Sequence, residues 1–248
     1  MSIIGIDLGN MYTKAASLNK GVVETILFNN SSRLNRTYIT LKEKRLIGSD
    51  SFNIYKNNMD KTIYGFNKLI HNLFIGFNDQ DIDNKYEDNQ SYVPIKKIGE
   101  QEYYIHYIFL SYFELLVKSL NKNLDDNYVI SIPSYLNITD KKFIEDSLNI
   151  INLKFRLISE EYAISLDYGF YKSFKKEFTN QKNILFVSIG DSNTNVFITN
   201  FDNNGLCILK QAFSMVGSYD ITERLYDYFN AIIFKKHSIN ISDYPKKK

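Results

Sequence analysis

A chain of 248 residues with formal net charge +2, three prolines, no tryptophan and a single cysteine can bury a substantial core as one large or two modest domains. Charge this close to neutral, with no concentrated basic face, gives no electrostatic reason to expect nucleic acid or an anionic membrane. One cysteine, Cys207, excludes an intramolecular disulfide and a cysteine-based zinc site, and His71, His106 and His237 lack ligand spacing.

The pattern begins at once. Residues 3–14 (IIGIDLGNMYTK) read as two strands joined by a tight hairpin at Gly9. A residue without Cβ lets turn N–H groups approach a ligand closely, so such a turn can cradle phosphate. Asp7 beside it cannot face phosphate unless a cation stands between them, which implies a nucleotide with Mg²⁺. The alternative for Asp7 and Gly9 is a hairpin kept for the fold.

Residues 22–28 (VVETILF) are expected to add a third strand, followed by a polar loop over 29–35. Residues 38–41 and 45–48 flank a charged turn and read as a small hairpin. Two short helices are expected over 51–57 and 61–72, the second with Ile63, Phe66 and Ile70 on one face. Residues 77–91, rich in Asp and Asn, read as a surface loop, and 92–98 as edge strands. From 104 to 120 Ile105, Ile108, Phe109, Tyr112, Leu115, Leu116 and Leu120 recur at helical spacing, an aromatic stripe that belongs to the core.

Residues 129–132 read as a buried strand stopped by Pro133, with Thr139 or Asp140 capping a helix to Ile151. Another strand is expected over 155–158, then a helix from Ser159 or Glu160 to about Tyr168, ended by Gly169. After a charged connector, strands are expected near 184–187, 196–200 and 207–212, and a helix from about 219 to 234. Cys207, among Leu206, Ile208 and Leu209, is expected to be a small buried hydrophobe. The basic end at 244–248 reads as a solvated terminus.

The first hairpin has a second copy. Residues 184–195 (ILFVSIGDSNTN) repeat the apolar run, the glycine and the threonine four residues after it. Two similar hairpins imply two similar halves, each offering a turn to a common cleft.

These features resemble the nucleotide-binding domain of the heat shock protein 70 superfamily, within the actin-like ATPases. The likeness is greatest to its large exchange-factor and endoplasmic-reticulum branch. Besides the hairpins it rests on 29–48 (NNSSRLNRTYITLKEKRLIG), 61–70 (KTIYGFNKLI), 129–135 (VISIPSY), 156–170 (RLISEEYAISLDYGF) and 217–229 (GSYDITERLYDYF). The resemblance implies an α/β chain with the actin-like, ribonuclease H-like fold. It further implies a first lobe over 1–182 with an insertion at about 38–98, and a partial second lobe over 183–248.

It implies ATP or ADP with Mg²⁺, weakly held. Asp7 falls at the carboxylate near the metal, acting through water. Gly9, Asn10 and Met11 fall at the first phosphate turn, and Gly190, Asp191 and Ser192 at the second. Glu160 falls at the glutamate near the metal and the attacking water, its alternative being a helix N-terminal acid that compensates the dipole. Pro133 falls at the interlobe switch proline, with strand terminator as the stronger reading.

Departures from the pattern stand beside the matches. The catalytic lysine position falls on Asn67; the alternative is that neighbouring Lys68 substitutes, with the register shifted by one. The aspartates that open and close the second hairpin are Ser188 and Asn195. Threonine in the first turn is Asn10, and Asp191 places negative charge in a phosphate loop.

The expectation is therefore a chaperone regulator, co-chaperone or partner-binding module with weak ATP binding and little hydrolysis. Its partner would be a chaperone or another protein. A fragment of an active ATP-dependent chaperone and an actin-like filament protein remain the alternatives. No apolar run is long enough to cross a bilayer and no basic leader is visible. The expected compartment is therefore the cytoplasm, or the endoplasmic reticulum lumen if a signal was removed.

Overall fold

The computed structural model describes residues 3–75, 82–87, 91–174, 181–202 and 205–241. The chain divides into two compact units, Met1–Ala163 and Ile164–Lys248.

In the first unit β1 (Ile3–Leu8) and β2 (Tyr12–Asn19) form the expected hairpin, and β3 (Val22–Thr25) extends it. The third strand is shorter than its apolar run, ending at Thr25. β4 (Asn35–Arg36) also pairs with β2, setting Tyr12 against Arg36 and Thr13 against Asn35. β5 (Tyr38–Thr40) and β6 (Leu46–Ile47) make the small hairpin, with Ile39 opposite Ile47.

Helix α1 (Gly48–Tyr55) starts earlier than the 51–57 helix expected. The helix expected over 61–72 is instead strand β7 (Thr62–Tyr64) followed by helix α2 (Phe66–Ile75). Gly65 lies between them at φ +70, a left-handed conformation that ends the strand without Cβ strain. Its carbonyl then accepts from Leu69 N–H at 3.0 Å, opening the helix. β7 pairs with β5, and Tyr38 stacks on Tyr64 with centroids 4.9 Å apart. Ile63, Phe66 and Ile70 are buried as expected, from two elements rather than one face.

Part of the expected surface loop is ordered pairing. β8 (Ile82–Glu87) pairs antiparallel with β9 (Ser91–Ile98), and β10 (Gln101–Tyr104) pairs on the other side of β9. Backbone pairing overrides the low strand propensity of Asp83 and Asn84, and β9 is central rather than an edge. The rest of the 77–91 loop, at 77–81 and 88–90, lies outside the described residues.

Helix α3 (Ile105–Ser119) follows the predicted stripe. Ile105, Ile108, Phe109, Tyr112 and Leu116 are buried, and Phe66 from α2 meets Tyr112 and Phe109 at 4.9 and 5.7 Å between rings. β11 (Asn127–Ile132) then returns to the first sheet, parallel to β1 with Ile6 opposite Ile130.

Helix α4 (Ile138–Ile150) is capped by Asn137, not by Thr139 or Asp140. Asn137 Oδ1 accepts from Asp140 N–H and Asp140 Oδ2 accepts from Asn137 N–H, both at 2.9 Å. This reciprocal box satisfies two end donors and moves the cap one turn back. Asp140 Oδ2 also lies 3.0 Å from His71 Nδ1 of α2.

β12 (Lys154–Ser159) completes the sheet parallel to β11. Its order is β12-β11-β1-β2-β3, with parallel pairing on one side of β1 and antiparallel on the other.

Helix α5 (Glu160–Phe174) passes the unit boundary and runs through Gly169 instead of stopping there. A Cβ at Gly169 would stand 3.0 Å from the Phe201 ring, so the missing side chain serves packing and not termination. In the second unit β13 (Lys182–Ile189), β14 (Thr194–Asp202) and β15 (Gly205–Ser214) form an antiparallel meander. Tyr168 packs on Phe186 and Phe201, and Ser165 hydrogen-bonds Thr199 at 2.7 Å. Helix α6 (Ser218–His237) follows. Cys207 is exposed, not buried, because strand alternation gives it the face opposite Leu206 and Ile208.

Candidate functional site

The carboxyl ends of the three parallel strands bring the first unit's chemistry together. Asp7 of β1 is the register partner of Ser131 on β11, Ile132 is the partner of Ser159, and Glu160 follows directly. Open α/β sheets bind ligands outside the carboxyl ends of their strands. Asp7 and Glu160, far apart in sequence, thus belong to one locus.

Each Asp7 oxygen has a partner. Oδ1 accepts from Ser131 Oγ at 3.3 Å, and Oδ2 accepts from Lys14 Nζ at 3.1 Å. Lys14 stands directly opposite Asp7 in the hairpin register. Glu160 feels its neighbours strongly. Burial first, then the charges of Asp7 and Glu161, push its carboxyl up to about 7, while Lys14 pulls the other way. Its setting is that of a carboxyl near its titration point at neutral pH.

The first turn, Gly9 to Met11, is held from outside. Thr37 N–H donates to Met11 C=O at 3.0 Å, and Thr37 Oγ1 donates to Gly9 C=O at 2.9 Å. With that proton used, Thr37 accepts from Thr13 Oγ1 at 3.0 Å, and Thr13 in turn accepts from Tyr112 Oη at 2.7 Å. A hydroxyl has one proton, so the direction of the chain follows. Burial pushes the Tyr112 phenol up to about 12, keeping it a donor. A Cβ at Gly9 would lie 2.4 Å from Tyr12 C=O, which no side chain tolerates without backbone movement.

Asn10 Oδ1 lies 3.5 Å from the Lys68 backbone N–H at the start of α2. Asn67 is buried at 1% exposure, and its Nδ2 donates to Leu8 C=O at 2.6 Å. It therefore anchors α2 to the end of β1.

The second unit holds the other predicted turn. Gly190 N–H donates to Asn193 C=O at 2.8 Å, while the Gly190 and Asp191 carbonyls accept from Ser218 and Tyr219 N–H, both at 3.0 Å. The first amides of α6 are thus bonded to the turn itself. Ser192 is buried, with Oγ 3.4 Å from Asn193 Oδ1. Asn195 is also buried.

The sequence marks neither Lys14, Ser131 nor Thr37 as a site residue, and it marks Thr13 only as part of the repeated hairpin and Tyr112 only as core. Lys14 follows from loop length: with Gly9 to Tyr12 as the four-residue connection, Leu8 pairs with Thr13 and Asp7 with Lys14. Thr37 and Tyr112 come from distant segments, and nothing local marks them. Among the described residues no group of three His, Cys, Asp or Glu side chains could hold a metal ion. No helix among them is long and apolar enough to cross a membrane.

The family model described as Hsp70 protein matches residues 3–247. Heat shock 70 kDa protein 4L of Homo sapiens is 27% identical over 262 residues, which cover 98% of this chain and 31% of the relative. Heat shock protein 88 of Dictyostelium discoideum is 28% identical, covering 98% of this chain and 33% of its own length. Heat shock 70 kDa protein 16 of Arabidopsis thaliana is 25% identical, covering 97% and 33%. The chain spans about a third of the length of the curated relatives it matches.

Mg²⁺ accompanies ATP or ADP in this family, and the donor set here does not suit it. Hydrated Mg²⁺ needs a carboxylate free to hold its waters. Asp7 Oδ2 already faces the Lys14 ammonium, so a hydrated cation approaching it meets a like charge. The glycine-pinched turn, by contrast, remains compatible with phosphate.

Proposed function

Because the chain belongs to the Hsp70 family, with its actin-like α/β nucleotide-binding fold, we propose that it is a degenerate nucleotide-binding module. In this reading it binds ATP or ADP weakly, hydrolyses it little and acts as a chaperone regulator or partner-binding element.

The observation that carries the proposal is Asn67. Where the family resemblance expects a lysine to orient the nucleophile, this chain has a buried amide whose donor is bonded to Leu8 C=O. Such a group is part of the packing and delivers no charge. Phosphoryl transfer depends on positioned charge around the phosphates and the attacking water. Loss of one preorganised donor costs on the order of 10²-fold in rate at comparable sites, and Ser188 and Asn195 add two more losses of charge.

What survives favours a fold kept for recognition. The first turn is fixed by the Tyr112-Thr13-Thr37 chain, and the sheet beneath it is complete from β12 to β3. A module of this kind offers a partner the shape of a nucleotide domain without its catalytic cycle.

Titration calorimetry of the 248-residue chain with Mg-ATP tests the binding half. Affinity weaker than micromolar, further reduced by Gly9→Ala, is expected. Micromolar or tighter binding would favour the second reading, an active ATP-dependent chaperone domain.

A further inference from the structure

The pairing of Lys14 with Asp7 has a chemical consequence for the cation that accompanies a phosphate. Register fixes the two residues opposite each other on β1 and β2, and Lys14 Nζ lies 3.1 Å from Asp7 Oδ2. The side chains are about half exposed, 54% and 41%, so the pair adds little to stability. Its importance is positional. A positive charge is built into the strand next to the first turn, on the carboxylate that would otherwise repel a phosphate.

An ammonium carries three donors and no acceptor. Asp7 engages one of them, which leaves the others for phosphate oxygens. Ser131 holds the opposite carboxylate oxygen at 3.3 Å, so Asp7 stays oriented toward Lys14. A hydrated divalent ion approaching Oδ2 would have to displace a tethered like charge.

Resting on the nucleotide-binding reading above, we infer that Lys14 is the resident counter-ion of Asp7 and that a nucleoside di- or triphosphate docks at the 9–11 turn as the metal-free anion. Mg²⁺ is then unnecessary for binding. It is also unhelpful, because chelation lowers the negative charge that Lys14 attracts.

Two substitutions separate the roles. Lys14→Met removes the cation and leaves Asp7 bare, so metal-free nucleotide meets repulsion while Mg²⁺ gains a carboxylate to approach. Lys14→Arg keeps the charge. Binding of ATP to the 248-residue chain is followed by ligand-observed NMR up to about 10 mM nucleotide, once with excess EDTA and once with excess Mg²⁺. Thermal melts of all three proteins check that they are folded.

The expected result is wild-type affinity in EDTA equal to or greater than that in Mg²⁺. Lys14→Met should lose roughly tenfold or more in EDTA and less in Mg²⁺, and Lys14→Arg should behave like wild type. Wild-type binding that weakens tenfold when Mg²⁺ is removed, or Lys14→Met binding unchanged in EDTA, would overturn the inference and leave the nucleotide-binding reading standing. No binding under either condition would overturn both.

Discussion

Replacing Glu160 with Gln should change the pH dependence of stability in a direction fixed by the site's electrostatics. The carboxyl is raised from an ordinary 4.5 to about 7, chiefly by burial and then by Asp7 and Glu161. The folded state therefore holds the Glu160 proton more tightly than the unfolded chain. Below about pH 4.5 the group is protonated in both states and imposes no penalty. Between 4.5 and 7 the penalty grows as the unfolded chain releases its proton first, and above 7 it is complete. At about 1.4 kcal/mol per pH unit this amounts to roughly 3 kcal/mol. Gln cannot ionise, so Glu160→Gln should gain up to roughly that much relative to wild type on going from about pH 4.5 to pH 8. Urea unfolding of both proteins across this range reads the difference directly, and any constant effect of the amide cancels. A stability difference flat with pH, or a variant that loses ground as pH rises, would refute the assignment of Glu160 to a desolvated, carboxylate-flanked position.

Thr13→Val removes the middle of the hydroxyl chain and leaves the buried Tyr112 donor without its acceptor, so it should lower stability by about 1–3 kcal/mol; Tyr112→Phe should cost only about 1 kcal/mol. Thermal melts at neutral pH distinguish the two, and equal losses would contradict the inferred donor order. Gly9→Ala should destabilise by about 1–3 kcal/mol, because the new methyl meets the Tyr12 carbonyl and the hairpin must shift; a neutral effect by chemical denaturation would show that the turn is not pinched. Asn137→Ala should cost about 1 kcal/mol through loss of the reciprocal cap with Asp140, whereas Thr139→Ala should be nearly silent in the same assay.

The parts of the fold most legible in sequence were those set by apolar periodicity over long runs. The strands of the Gly9 hairpin, the buried strand β11 and the aromatic face of α3 all follow from which residues must leave water, whereas the pairing of β11 beside β1 is not set by periodicity. Short-range punctuation was read less well. Gly65 carries the positive φ that converts β7 into α2, but a lone glycine inside an apolar run gives no indication of that. Gly169 is required by the Phe201 ring across its helix, a tertiary constraint that imitates a helix stop. The 82–87 strand exists through its partner β9, which composition cannot show. At the candidate site, Asp7 and Glu160 were visible as types in a pattern. Their electrostatic environment depends on Lys14 and Ser131, one placed by hairpin register and the other by a parallel pairing across more than a hundred residues.

The proposed loss of hydrolysis through Asn67, Ser188 and Asn195 can be read by single-turnover phosphate release, with the 248-residue chain in excess over ATP and Mg²⁺ present. Release no faster than that of the Asp7→Ala variant is expected, since Asn67 is committed to Leu8 and supplies no cation. A burst of phosphate from the wild-type chain that Asp7→Ala abolishes would contradict it.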